Sequence, residues 1–146
     1  MEEAGLKWLD ASFVLFTLAG IGAGAASLAL TRAMAGSSLV REQRAWAIYL
    51  VIAALIYIGF GLFNGASATW MMVESSGVLL YGGVALVGVL RAPRLIALGW
   101  LAHSLWDLLV HPNGHPGFVP WWYPPVCLGF DVVVGAWLLK RFAPAE

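Results

Sequence analysis

The chain alternates between five long apolar stretches and short polar connections. The apolar stretches run over about 12–34, 45–63, 69–90, 95–110 and 125–139. A helix needs roughly 20 residues to cross ~30 Å of hydrocarbon, so the first three stretches are long enough and the last two are short. These runs are too long and too uniformly apolar for barrel strands. The pattern therefore predicts an all-α bundle of five transmembrane helices.

The composition supports a membrane location and a single domain. Of the 146 residues, 61% are hydrophobic and 11% are charged, and the mean hydropathy is +0.83. A soluble domain is nearer half apolar and one quarter charged. A chain of 146 residues is also short for two domains. We therefore expect one transmembrane domain over 1–146.

Charge and cysteine content exclude several classes of protein. Eight basic and eight acidic residues balance, so the chain has no basic footprint for nucleic acid. The single Cys127 excludes a disulfide framework within the chain and a cysteine-based zinc site. We expect no nucleotide cofactor.

The basic residues predict the orientation in the membrane. The positive-inside rule places the more basic side in the cytoplasm. Only Lys7 lies on one side, and the other side carries Arg32, Arg41, Arg44, Arg91, Arg94, Lys140 and Arg141. The N-terminus is then external and the C-terminus cytoplasmic. The leader before the first stretch is net acidic and its apolar run is longer than that of a signal peptide, so we expect a retained helix.

Aromatic and small residues predict contacts at the membrane boundaries and between helices. Trp46 and Trp137 lie near the inner boundary, where tryptophan commonly anchors a helix. The first stretch carries glycines over 20–24, and Gly61 and Gly65 repeat a small-xxx-small spacing on the second. Such faces let helices approach closely. We favour packing within the chain, with a homo-oligomer as the alternative.

Ionisable residues are concentrated in the outer half of the predicted bundle. His103, Asp107 and His111 follow at i, i+4 and i+8, so they share one helix face. The fifth stretch carries Asp131 and the third carries Glu74 near its outer end. Ionisable groups are costly in hydrocarbon and generally face a partner or a polar cavity. The pattern therefore predicts a pocket built from three helices.

Helical rise predicts the depth of these groups. His103 lies ~12 Å below His111 on one helix, and Asp131 lies ~10 Å below Pro124 on the next. His103 and Asp131 should therefore share a level, with Asp107 and Glu74 above them and His111 at the mouth of an outward-opening pocket. Further polar or aromatic wall is expected from Asn64, Tyr57, Tyr81, Trp106 and His115, the last as a lid or ligand.

Three functional interpretations of this pocket remain open. In the first, a divalent metal (Zn, Mn or Fe) is bound by nitrogen and oxygen ligands and activates water for attack on an amphipathic substrate. The candidate ligands are His103, Asp107, His111, Asp131 and Glu74. In the second, His103, Asp131 and Glu74 act as catalytic acids and bases without metal, for example in isomerisation or hydration of a lipid-like molecule. In the third, the cluster is a proton or cation relay in a transporter, or the site of a non-enzymatic binder.

A purely structural role is the alternative to all three. One Asp–His pair between helices is as often structural as functional, whereas six ionisable groups at matched depth favour function. Haem is not expected, because His103 and His111 share one helix rather than facing each other.

The C-terminal third resembles a known but uncharacterised family. The matching parts are His-x-x-Trp-Asp-x-x-x-His over 103–111 and Cys-x-x-x-Asp over 127–131, with Glu74 and Gly77 as a less secure third element. They resemble small bacterial membrane proteins catalogued as domain of unknown function 6010. The resemblance implies a bacterial membrane location, which we take as the inner membrane, and no activity. A second, purely architectural likeness is to the emopamil-binding sterol isomerase superfamily, small helical bundles with histidines and carboxylates around an intramembrane cavity.

The leading hypothesis is a membrane-embedded enzyme acting on a small amphipathic or lipid-like substrate. Metal-assisted chemistry stands slightly ahead of metal-free acid–base catalysis.

Overall fold

The computed structural model of the chain describes residues 10–143. Lys7, the basic residue predicted on the external side, lies outside the described residues. This part of the chain forms five α-helices and a short 3-10 turn, and it contains no strand. The helices are α1 (Ala11–Ala35), α2 (Leu39–Asn64), α3 (Ala68–Leu90), α4 (Arg94–Val110) and α5 (Tyr123–Arg141), with the turn at Pro112–Gly114. The prediction of an all-helical fold is confirmed.

Four of the helices are long and apolar enough to cross a membrane. They are α1, α2, α3 and α5, whose most apolar windows have mean hydropathies of 2.0, 2.2, 1.7 and 1.2. The protein is therefore a membrane protein. Helix α4 has 17 residues, which corresponds to ~26 Å of helix.

Capping explains why α2 begins six residues before its apolar stretch. The Ser38 side chain accepts a hydrogen bond from the Arg41 backbone N–H at 3.3 Å, which satisfies a free donor of the first turn. The polar residues that follow are therefore helical although they are not apolar. At the other end, Gly65 ends the helix in the left-handed conformation, with φ of 73°. Gly65 is therefore a helix C-cap and not a partner of Gly61 in helix packing.

Helices α1 and α5 approach each other through glycines. A Cβ atom on Gly20 would lie 2.0 Å from the Val126 carbonyl oxygen, and one on Gly129 would lie 2.0 Å from the Thr17 carbonyl oxygen. Only a hydrogen atom fits at these positions. Gly22 points into open space, since nothing lies within 4 Å of its Cβ direction. The glycine face of α1 therefore serves packing within the chain at Gly20.

The half of the bundle that carries the basic residues is filled by an apolar core. Leu50, Ile96 and Leu138 are fully buried there. Trp46, expected as an interfacial anchor, is also fully buried, because its indole packs edge-on against Trp100 with ring centroids 5.8 Å apart. The Trp100 indole N–H donates to the Trp46 carbonyl at 3.3 Å.

Candidate functional site

Three ionisable side chains meet between α4 and α5, and we call them the central cluster: His103, Asp107 and Asp131. Nδ1 of His103 lies 2.8 Å from Oδ2 of Asp131 and 3.5 Å from Oδ2 of Asp107. All three residues are at most 1% exposed. The structure thus joins His103 and Asp131, which the sequence placed at one depth on successive helices.

Small residues allow the two helices that carry the cluster to approach closely. A Cβ atom on Gly135 of α5 would lie 3.0 Å from the Ala97 carbonyl oxygen and 2.6 Å from a Leu101 side-chain atom of α4. Gly135 lies one turn beyond Asp131. The close backbone approach lets a short aspartate side chain reach the imidazole directly.

The central cluster has more acidic groups than basic partners. The Tyr57 hydroxyl donates a short hydrogen bond to Oδ1 of Asp107. Oδ2 of Asp107 and Nε2 of His103 are buried and have no hydrogen-bond partner within 10–143. In the same range no Lys or Arg forms an ion pair with Asp107 or Asp131. Buried charges are generally paired or bound to a cation. The excess acidic groups of the cluster would therefore be neutralised by added protons or by a cation.

A second buried pair, the outer pair, consists of Glu74 on α3 and His111 at the end of α4. Nε2 of His111 lies 2.9 Å from Oε1 of Glu74, an ion-pair distance without the alignment of a hydrogen bond. Nδ1 of His111 lies 3.0 Å from the His115 carbonyl oxygen. A carbonyl only accepts, so Nδ1 carries the hydrogen of that bond.

The segment after α4 covers the outer pair. His111, expected at the mouth of an outward-opening pocket, is instead fully buried. Its ring lies against Phe118 and Trp70, with centroid distances of 5.7 and 5.9 Å, and stacks on Tyr57 at 4.5 Å. The loop folds back because apolar Phe118 and Val119 bury themselves there. The five expected ligands therefore form a group of three and a separate pair.

The other predicted wall residues have different roles. The Tyr81 hydroxyl donates to the Ala102 carbonyl at 3.1 Å, and its ring lies 5.0 Å from that of His103. The Asn64 amide donates to the Phe118 carbonyl at 2.7 Å and so holds the loop. Trp106 packs edge-on against Tyr81, and the His115 side chain is exposed. Of this set, Tyr57 and Tyr81 contact the central cluster.

A groove of about 400 Å³ reaches the central cluster from the side of the bundle. We call it the lateral groove. It is mainly apolar, and Asp131 forms part of its wall. The exposed side chains Leu30, Ile52 and Ile56 lie on it, so it opens toward the surface that faces lipid. The other lining residues are Ser27, Tyr49, Ala53, Trp100, Tyr123, Val126, Cys127 and Phe130.

Sequence reasoning missed this groove, although one signal of it was present. Tyr123, Cys127 and Asp131 are spaced four residues apart and therefore share one face of α5. The Cys127 thiol is free and buried, one turn from Asp131.

The central cluster offers a compact set of metal ligands. One ligand atom from each of its three residues lies within 4.8 Å of the others. Imidazole nitrogen and carboxylate oxygen, without thiolate, suit Zn, Mn or Fe. The outer pair offers two more such ligands but lies outside this group.

Fold and site together define an all-helical membrane protein with a buried histidine–carboxylate cluster beside an apolar groove. The chain belongs to the family of unknown function DUF6010, which matches residues 15–145. This confirms the resemblance seen in the C-terminal third and extends it to nearly the whole chain. No curated protein and no solved structure matches the chain.

Proposed function

We propose that this protein is a membrane-embedded enzyme that takes an amphipathic or lipid-like substrate into the lateral groove and acts on it with the central cluster. One observation carries the proposal. Asp131 both lines the apolar groove and contacts His103 at 2.8 Å. A molecule in the groove would therefore meet a carboxylate and, behind it, an imidazole, which are the groups that general acid–base catalysis requires.

The groove indicates the class of substrate. Its wall is apolar and includes the aromatic rings of Tyr49, Trp100, Tyr123 and Phe130. Small-molecule sites generally combine such a wall with a few polar groups that fix orientation. Here Asp131 is the acidic group among the lining residues, which favours a substrate with a long apolar part and one polar or reactive end.

The apolar core favours an enzyme over a transporter. Between the central cluster and the basic side of the bundle lie fully buried apolar side chains, among them Leu50, Ile96, Val134 and Leu138. An ion path requires polar or water-filled surroundings. This core therefore argues against ion transport through the bundle. A substrate would instead reach the central cluster from the side, through the lateral groove.

We further propose that the central cluster holds one divalent cation. Two carboxylates and a neutral imidazole carry a charge of −2, which a divalent ion neutralises. Oδ2 of Asp107 supports this, since it is buried, accepts no hydrogen bond within 10–143 and belongs to one of the three candidate ligand residues. A bound metal would supply Lewis-acid activation of water or of a substrate oxygen. His103 and Asp131 would then hold the ion in position as two of its ligands.

The location and orientation are also part of the proposal. Helix α4 packs against both α3 and α5 and carries two of the three cluster residues, which supports it as a fifth, short transmembrane helix. A short span is accommodated by local thinning of the bilayer. With the basic residues in the cytoplasm, the outer pair lies toward the external side. We place the protein in the bacterial inner membrane.

Comparing the lipids of membranes that contain wild-type or variant protein tests the enzyme proposal. We expect at least one lipid-soluble compound to be consumed or formed with the wild type and unchanged with Asp131→Asn or His103→Gln, by untargeted mass spectrometry. Ser104→Ala is the matched control, because Ser104 is buried on α4 but its hydroxyl bonds, among residues 10–143, to the Leu101 carbonyl alone, at 2.7 Å. Identical lipids in all membranes, with all proteins folded, would refute it.

Metal content tests the cation proposal separately. Purified wild type should hold one Zn, Mn or Fe per chain by elemental analysis, and Asp107→Ala should lose it while Ser104→Ala keeps it. A metal-free wild type that still converts lipid would refute the cation proposal and would support metal-free acid–base catalysis.

A further inference from the structure

A second groove lies on the opposite side of α2, between α2 and α3, and we call it the Arg44 groove. It has a volume of about 450 Å³ and is almost wholly apolar. It is lined by Arg44, Ala47, Ile48, Val51, Ile52, Gly82, Ala85, Leu86 and Val89. Ile52 also lines the lateral groove, so the α2 ridge separates the two. Neither the central cluster nor the outer pair contributes to it.

The shape of the Arg44 groove suits one hydrocarbon chain. Its floor has small residues, Ala47, Gly82 and Ala85, between larger aliphatic side chains. From Arg44 to Ile52 the helix rises ~12 Å, which is a little less than the depth of one leaflet of a ~30 Å hydrocarbon core. The groove therefore runs from the membrane boundary toward the middle of the bilayer.

Arg44 gives this groove a charged end. The residue is exposed, and it forms no ion pair within 10–143. An arginine at the membrane boundary is stabilised either by an anion or by the polar interface of the bilayer. A guanidinium group binds phosphate oxygens in a fork of two parallel hydrogen bonds. Arg44 therefore lies where the phosphate of a phospholipid would bind, and the apolar groove lies where its acyl chain would bind.

We propose that the Arg44 groove binds an anionic phospholipid of the leaflet on the basic side, with the phosphate at Arg44 and one acyl chain between α2 and α3. Anionic headgroups are favoured because Arg44 supplies a positive charge that has no counter-ion among residues 10–143. The site is independent of the proposed enzymatic function. The bound lipid would cover the exposed apolar flank of α2 and α3.

Native mass spectrometry of the full chain in an equal mixture of phosphatidylglycerol and phosphatidylcholine tests this proposal. The wild type should retain the anionic lipid over the zwitterionic one by about fivefold, the factor expected for one arginine near an anionic headgroup. Arg44→Gln should abolish this preference. Arg94→Gln is the charge control, because Arg94 is exposed but lines a different cavity.

A second pair of variants tests the groove rather than the charge. A Cβ atom on Gly82 or on Gly83 meets nothing within 4 Å, but only Gly82 lines the groove. Gly82→Leu should therefore displace the lipid and Gly83→Leu should not. Equal retention by Arg44→Gln and wild type, or by the two leucine variants, would overturn the proposal. A dimeric wild type that Gly82→Leu converts to a monomer would overturn it too, because a second copy would then cover the groove.

Discussion

Tyr57 links His111 of the outer pair to Asp107 of the central cluster. Its ring stacks on the imidazole of His111 with centroids 4.5 Å apart and planes at 14°, while its hydroxyl donates to Asp107. One residue of α2 thus contacts the outer pair through its face and the central cluster through its hydroxyl. The two groups are therefore connected through one side chain, although they share no ion pair within 10–143.

We expect Tyr57→Phe to destabilise the protein by about 1–3 kcal/mol, because the variant leaves a buried carboxylate oxygen of Asp107 without its donor. Unfolding in mixed micelles measures the free energy. Tyr49→Phe is the matched control, since the Tyr49 hydroxyl has no hydrogen bond within 10–143, and it should change the free energy by less than about 0.5 kcal/mol. Equal effects of the two variants would contradict the assigned hydrogen bond.

We expect the outer pair to show strong coupling in a double-mutant cycle. Glu74→Gln or His111→Gln alone removes one partner of a buried ion pair and should cost about 3–5 kcal/mol. The double variant has no unpaired charge, so its cost should fall short of the summed single costs by about 0.5–3 kcal/mol. Additive costs would show that Glu74 and His111 act independently.

We expect Gly129→Ala to disrupt the contact of α1 with α5. The added methyl group would lie 2.0 Å from the Thr17 carbonyl oxygen, so the helices must separate. Overpacking of this kind typically costs ~1–3 kcal/mol or more. Gly22→Ala, with open space around its Cβ, should instead be neutral or stabilise the helix by up to about 1 kcal/mol. A stable Gly129→Ala variant would place the α1–α5 contact elsewhere.

We expect Cys127 to react with apolar maleimides dissolved in the membrane and to resist charged, membrane-impermeant thiol reagents. Its thiol is the only one in the chain and lines the lateral groove. Mass spectrometry of the intact chain measures the labelling. Ala53→Leu should slow it by filling the groove, because Ala53 lies on the same wall. Faster labelling by the charged reagent would show that the groove opens to water.

We expect the proposed cation to stabilise the wild type. A ligand at 100 times its dissociation constant adds ~2.7 kcal/mol to the free energy of unfolding. Addition of Zn²⁺ or Mn²⁺ to chelator-treated protein should therefore raise the thermal midpoint of the wild type, and that of Asp107→Ala should not respond. A shift of equal size in both proteins would indicate binding elsewhere.

Much of the fold follows from the sequence, because hydrophobic length and period are local properties. The predicted start of α4 at about 95 and its end at 110 fall within one residue of Arg94–Val110. The start of α2 was missed by six residues, since hydropathy marks the edge of the apolar stretch and Ser38 marks the edge of the helix. Depth arithmetic likewise brought His103 and Asp131 to one level, where the structure joins them.

The closure of the site could not be read from helix patterns. Whether His111 is open or buried depends on the path of the loop after α4, and that path is set by tertiary contacts of Phe118 and Val119. Trp46 shows the same limit, since its neighbour Trp100 is 54 residues away along the chain. The lateral groove arises from the spacing of four helices, α1, α2, α4 and α5, which no single stretch encodes.

The glycine contact of α1 with α5 also has a consequence for which molecules fit the protein. Gly20 and Gly24 press directly on the backbone of Val126 and Phe130, and these two residues also line the lateral groove. The distance between α1 and α5 is therefore one of the distances that set the width of the lateral groove. Relatives that carry alanine or serine at these glycines would have a wider lateral groove. Selection for bulkier ligands could therefore act at these positions without altering any ionisable group.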